Sequence, residues 1–179
     1  MIIYETRNDL IDTLPKELVV AELGVFRGEF SNEIHQRIHP STLYLVDIWE
    51  GTMGSGDKDG QNHITINNME DVYHEIKDRY SEVDNIQVIR GRSLDFLNSQ
   101  QNDSFDMIYV DADHSYGAVK NDLIASLSKV KNGGYLAGHD YIPNYEVRYA
   151  VDDFCSEYGQ EIIAITKDGC PSFLIQVKK

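Results

Sequence analysis

Five times along this 179-residue chain a short apolar run gives way to a stretch with helical period. That alternation narrows the possible folds more than any other feature. The runs cover residues 18–23, 42–47, 86–89, 105–110 and 135–138, which is strand length, and few polar residues interrupt them. Helical period follows at about 28–38, about 67–81, a short segment after Ser93, 116–130 and 146–158. Repeated strand–helix alternation implies a parallel sheet with helices on both faces. Two last runs, 161–166 and 172–177, are joined by Asp168-Gly169-Cys170-Pro171. So short a connection marks an antiparallel hairpin. One short helix over 8–14, ended by Pro15, precedes the first run. Residues 50–66, rich in Gly, Asp and Asn, read as a long loop of the kind that covers a site. The expectation is one α/β domain over 1–179, with seven strands, five parallel and a hairpin at the end.

The first strand-to-helix junction carries the chemistry. Val19-Val20-Ala21-Glu22-Leu23 runs into Gly24-Val25-Phe26-Arg27-Gly28, and Phe30, Ile34 and Ile38 then share one helical face. Ligands in open α/β sheets bind beyond the carboxyl ends of such strands. A dinucleotide fingerprint needs G-x-G-x-x-G so that backbone can press on a pyrophosphate. Here the pattern is E-x-G-x-x-x-G, with Phe26 at the second glycine position. A pyrophosphate would be crowded and a ligand without phosphates would fit. An NAD-dependent Rossmann oxidoreductase is therefore the weaker alternative.

This junction resembles the first motif of class I S-adenosylmethionine (SAM) methyltransferases, in which an acidic residue precedes the loop. The resemblance extends to the Rossmann-like seven-stranded sheet with its terminal hairpin and covers nearly the whole chain. It implies that SAM is the cofactor and lies across the ends of the first three strands. Glu22, Gly24, Phe26, Gly28 and Ser31 would contact it from the first junction. Asp47, which ends the second strand, would accept the ribose hydroxyls, with Ile48 beside it. Ser93, after the third strand, would meet the adenine, with Asp95 as the alternative. Asp111, ending the fourth strand, would complete the pocket.

The segment Tyr109-Val110-Asp111-Ala112-Asp113-His114-Ser115-Tyr116 is similar to the fourth-strand end of catechol-type and caffeoyl-coenzyme-A-type O-methyltransferases. It also resembles the macrocin-type O-methyltransferases and the cephalosporin-hydroxylase-like family, which share the His-Asp or Asp-Asp pair after the fifth strand. In the catechol type the first Asp binds a divalent metal and a Lys three residues on is the base. That resemblance gives Asp111 the metal position and puts His114 where the Lys stands. His titrates near neutrality, so it can serve as base. His139-Asp140, after the fifth strand, would complete a metal set with Asp111. Mg²⁺ prefers oxygen ligands, and a His ligand shifts the balance toward Mn²⁺, Fe²⁺, Co²⁺ or Zn²⁺. The competing reading has His139-Asp140 orienting a loop without a metal.

The implied activity is methyl transfer to a hydroxyl of a small-molecule acceptor. A non-catalytic module that keeps the fold is the other alternative. The net charge of −14 disfavours nucleic acid and anionic membranes as partners. Absence of a signal-like start, of a membrane-length apolar run and of a cysteine framework points to the cytoplasm, and a homo-oligomer stays open. His35 and His39 have the i, i+4 spacing of a zinc helix, but Gln36 stands in place of the Glu, and they read as a solvated face. Trp49 flanks adenine, covers substrate or anchors the loop. Tyr141, Tyr145 and Arg148 fall where a substrate could rest.

Overall fold

The computed structural model describes residues 1–56, 64–142 and 146–179. In chain order the elements begin with β1 (Ile2–Tyr4), α1 (Arg7–Ile11), β2 (Val19–Leu23), α2 (Glu29–Ile38) and β3 (Thr42–Asp47). β4 (Thr52–Gly56), β5 (Ile64–Asn68), α3 (Met69–Arg79), β6 (Ile86–Arg90) and α4 (Ser93–Ser99) follow. The last are β7 (Phe105–Val110), α5 (Tyr116–Lys129), β8 (Val130–Gly138), α6 (Glu146–Tyr158), β9 (Ile162–Thr166) and β10 (Phe173–Gln176).

The main sheet has eight strands in the order β1-β9-β10-β8-β7-β2-β3-β6. Only β10 runs against its neighbours, β8 and β9; the other pairings are parallel. The mostly parallel sheet and its terminal hairpin match the expectation, but the count is eight rather than seven. The extra strand is Ile2–Tyr4, which adds alongside β9 with Ile2 opposite Ala164. Ile-Ile-Tyr suits a strand, yet three residues have no period to read, and only the exposed edge of β9 makes them one.

Residues 50–66 also depart from a plain loop. β4 and β5 pair antiparallel, Thr52 opposite Asn68 and Gly56 opposite Ile64. The β-branched run Ile64-Thr65-Ile66 fits a strand, and the glycines around it hid that signal. The tip of this expected cover, 57–63, lies outside the described residues. Asn68 caps α3, its side chain accepting from the Glu70 N–H at 3.1 Å.

Strand residues alternate between two cores. Val20, Leu43, Leu45, Met107 and Tyr109 pack with Leu10, Phe30, Ile34, Val72 and Ile76, so α1, α2 and α3 cover one face. Ala21, Leu23, Val46, Ile108 and Val110 pack with Phe96, Leu97, Val119, Leu123 and Phe154, so α4, α5 and α6 cover the other. The chain builds outward from β2 through β3 to β6, then crosses back to place β7 on the other side of β2. The order reverses between β2 and β7, and a crevice opens there beyond the strand ends.

Candidate active site

At that reversal the backbone comes very close. Asp111 N–H donates to Leu23 O at 2.7 Å, and Gly24 N–H donates to Val46 O at 2.8 Å. Gly24 has φ +92, and a Cβ on it would sit 2.0 Å from the Asp111 carbonyl oxygen. Only glycine fits there. Gly28, at φ 70, begins α2 without a side-chain cap, so the first amides of that helix keep no side-chain partner at its N-cap.

Asp47 organises the loop between these glycines. Its Oδ2 accepts from the N–H groups of Val25 and Phe26, each at 2.9 Å, and its Oδ1 from Trp49 N–H at 2.9 Å. Trp49 is fully buried and donates its indole N–H to Phe26 O at 3.0 Å. Of the roles considered for Trp49, the geometry matches loop anchoring.

A cavity of about 830 Å³ lies over these strand ends. Its wall includes seven of the residues expected at a cofactor: Glu22, Gly24, Phe26, Asp47, Ile48, Ser93 and Asp111. Gly28 and Ser31 are not in the wall. Ser31 is fully buried and donates its hydroxyl to Glu22 Oε2. Ser93 opens α4 and donates to Asp122 Oδ1 at 2.7 Å. Ile48 is 45% exposed, an apolar side chain left uncovered at the mouth.

At the rim, strands β7 and β8 end side by side and bring four ionisable groups together. His114 Nε2 is 3.1 Å from Asp140 Oδ2 and 3.7 Å from Asp111 Oδ1. His139 Nδ1 is 3.4 Å from Asp140 Oδ2 and 3.9 Å from Asp111 Oδ1. One ligand atom from each of Asp111, His139 and Asp140 lies within 4.8 Å of the others. The Asp111 and Asp140 carboxylates outweigh partial burial and raise the His114 pKa. Burial alone would raise that of Asp140, but the contact with His139 and both imidazoles bring it below the ordinary value.

Two groups in the cavity wall, Arg7 and Asp122, and one beside the rim cluster, Cys170, escaped the sequence reading. Arg7 reaches in from α1, its Nη1 3.8 Å from Asp111 Oδ2 and its guanidinium 4.2 Å from the Phe30 ring centroid. No local pattern announces it. Cys170, from the β9–β10 turn, lies outside the cavity wall, and burial first and the Asp140 carboxylate next push its thiol up. Asp122 is 3% exposed on α5. It shares the buried face with Val119, Leu123 and Ser126, so a polar residue on an apolar helical stripe was the available signal. Burial pushes its carboxyl to about 6, against the Ser93 hydrogen bond, and the charge of Asp113 adds to the rise. Glu22, at the cavity floor, is pushed to about 8 by burial, against its bond from Ser31.

Other expected residues lie elsewhere. Tyr141 donates to Asp152 Oδ1 at 2.5 Å and Arg148 sits 3.7 Å from Asp152 Oδ2, a cluster against α6. Tyr145 lies outside the described residues. No helix among the described residues is long and apolar enough to cross a membrane.

A family model described as a methyltransferase domain matches residues 21–141. No curated protein sequence matches the chain significantly. Solved structures do. The B. subtilis M1A22 tRNA methyltransferase TrmK superposes with TM-score 0.65 at 12% identity, covering 98% of this chain and 67% of that one. A precorrin-6y C5,15-methyltransferase from Geobacter metallireducens GS-15 gives 0.64 at 12%, covering 96% and 88%. An rRNA methylase from Streptococcus thermophilus gives 0.63 at 11%, covering 96% and 94%. The fold is thus the Rossmann-like fold of class I methyltransferases. These neighbours also correct the expectation of a small-molecule acceptor with no nucleic acid. Enzymes of this fold include tRNA and rRNA methylases. The cavity wall carries Arg7, Arg27 and Arg92 beside seven acidic residues, so charge alone does not identify the acceptor.

Proposed function

Because the chain belongs to the methyltransferase-domain family, we propose that it moves a methyl group from SAM to an acceptor hydroxyl. One observation carries this reading: Asp111 and His114 belong both to the cavity wall and to the ionisable cluster at its rim. A donor in the cavity and an acceptor at the cluster would meet at those side chains. The cavity, about 830 Å³ and of mixed polarity, suits a nucleoside-sized ligand.

When bound, SAM supplies a methyl group on a positively charged sulfur. The chain holds it from both sides of the strand-order reversal. Gly24 keeps the β2 end free of side chain, so a ligand can lie against the backbone. A carboxylate offers about four lone-pair sites, and Asp47 commits three to Val25, Phe26 and Trp49. It therefore builds the loop first and has about one site left for a ribose hydroxyl. Ile48 offers an apolar surface to a flat base.

At the rim, His114 Nε2 would take the hydroxyl proton. Asp111 first, and Asp140 with it, raise its pKa before a cation takes those carboxylates. Asp111, His139 and Asp140 offer two carboxylates and an imidazole, a donor set that fits Mn²⁺ or Mg²⁺ with waters. A divalent cation held there would supply charge that lowers the pKa of the hydroxyl. Bringing donor and acceptor together supplies much of the remaining rate enhancement.

The test is transfer of an isotopically labelled methyl group from SAM to fractionated RNA, protein and metabolite pools, with and without chelator. We expect label on oxygen, and loss of transfer with chelator that Mn²⁺ or Mg²⁺ restores. Label on nitrogen or carbon would overturn the hydroxyl assignment. Rates indifferent to chelator, in protein that carries no metal, would overturn the cation.

A further inference from the structure

A second cavity adjoins the first. It measures about 280 Å³ and is walled by Thr6, Arg7, Asn8, Glu29, Glu33 and Asp168, from α1 with its N-cap, α2 and the β9–β10 turn. Arg7 and Glu29 line both cavities. Arg7 also stands 3.8 Å from Asp111 Oδ2, and the turn that carries Asp168 places Cys170 beside Asp140. An acceptor whose hydroxyl lies at the rim cluster can therefore extend into this second cavity.

Its wall consists mainly of hydrogen-bond acceptors. Three carboxylates stand against one guanidinium, and that guanidinium is drawn over the Phe30 ring at 4.2 Å and toward Asp111. Asp168 takes only neutral donors, the Arg7 backbone N–H at 3.3 Å and the Thr166 hydroxyl, and has no ion pair among the described residues. Glu33 Oε2 accepts from Arg37 Nε at 2.6 Å and from Asn8 Nδ2 at 3.0 Å, while Oε1 has no partner among the described residues. The same bond turns the Asn8 amide so that its Oδ1 is buried without a donor. Such an orphaned acceptor costs free energy until a donor arrives. These carboxylates do not converge as metal ligands do: among the described residues only Asp111, His139 and Asp140 bring three ligand atoms within 4.8 Å of one another. Acceptors spread around a pocket suit a cation with several N–H donors, and an ammonium group has three.

We propose that this second cavity selects the acceptor by taking a protonated amine that the acceptor carries, held by Asp168, Glu33 and the Asn8 carbonyl, while the hydroxyl meets the rim cluster. The proposal rests on the methyl-transfer reading above and adds the acceptor's chemical class, a hydroxyl accompanied by an ammonium group. A neutral analogue would leave the carboxylates unpaired and an acidic one would be repelled, so the subsite excludes as well as attracts.

Two measurements on the full chain test it. Ethylammonium, titrated in while backbone amide resonances are followed, should shift those of Asn8, Glu33 and Asp168; ethanol, equally long and uncharged, should not. Asp168→Asn and Glu33→Gln, both outside the wall of the larger cavity, should each weaken ethylammonium binding by about tenfold with S-adenosylhomocysteine binding kept. The second measurement repeats labelled-methyl transfer to the RNA, protein and metabolite pools after their amines are blocked with N-hydroxysuccinimide acetate. Blocking should cut incorporation by about tenfold or more. Shifts that ethanol reproduces, folded variants that bind ethylammonium as wild type does, or label undiminished by blocking would each overturn the proposal and leave the methyl-transfer reading standing. No transfer to the unblocked pools would overturn that reading, and this proposal with it.

Discussion

Replacing Glu22 with Gln should make the protein more stable at alkaline pH and change little near pH 5. Glu22 is 1% exposed beneath the cavity, and burial, with the charge of Asp111 adding, moves its carboxyl from 4.5 to about 8. Between those values the folded protein holds a proton that the unfolded chain has released. This contribution is complete below the unfolded pKa, declines as pH rises toward about 8, and is gone above it. Each pH unit of that window is worth about 1.4 kcal/mol, so the full span is of order 5 kcal/mol. Gln is neutral throughout and can accept the Ser31 hydroxyl that Glu22 accepts now. Wild type and E22Q should therefore be alike near pH 5, while by about pH 8.5 the variant leads by several kcal/mol. Denaturant unfolding of the ligand-free protein across that range is the assay. Two stability–pH curves that stay parallel would refute an acid held protonated at this floor.

Three further outcomes follow from the site. Gly24→Ala would put a Cβ 2.0 Å from the Asp111 carbonyl oxygen at φ +92; thermal melting should show a loss above about 2 kcal/mol, counting both clash and backbone strain, and wild-type stability would contradict the close approach. Asp47→Ala strips three backbone N–H groups of their acceptor and should cost roughly 2–4 kcal/mol of stability as well as S-adenosylhomocysteine affinity; a loss of affinity alone would make Asp47 a pure ligand contact. His114→Ala should lower methyl transfer by about 10²–10⁴ with cofactor binding kept. In wild type the rate should climb with pH as His114 loses its proton, and the variant should lack that limb.

Much of the architecture was legible because strands buried on both faces and amphipathic helices differ in period. β2, β3, β6, β7 and β8 are apolar runs that no other element explains. Where the signal was short or masked by composition, the reading missed: Ile2–Tyr4 for lack of length, and β4 and β5 among glycines. At the site, acids and histidines at strand ends stood out, since polar residues rarely follow so apolar a run. Asp111, His139 and Asp140 were found in that way and His114 through the family resemblance, and the structure brings the four together near the ends of adjacent strands β7 and β8. Arg7 was not, because no local pattern announces it, and Asp122 was missed although it interrupts the buried stripe of α5.

The chain's local chemistry by itself determined the alternation, the parallel sheet with its closing hairpin, and the glycine that lets two strand ends touch. Those depend on side-chain period and backbone freedom, which are properties of neighbours in sequence. Tertiary structure alone decided which lone pairs remain for a ligand. Asp47 is largely occupied by the loop it folds, the Ser93 proton is given to Asp122, and Ser31 is turned onto Glu22. Apart from the Trp49 bond to Asp47, two positions away, those assignments join residues 9 to 29 positions apart, Asp47 reaching 21 and 22 back to the first loop. Hydrogen bonding is short-ranged and saturable, so a residue's type tells what it can bind, and only the fold tells what it has already bound.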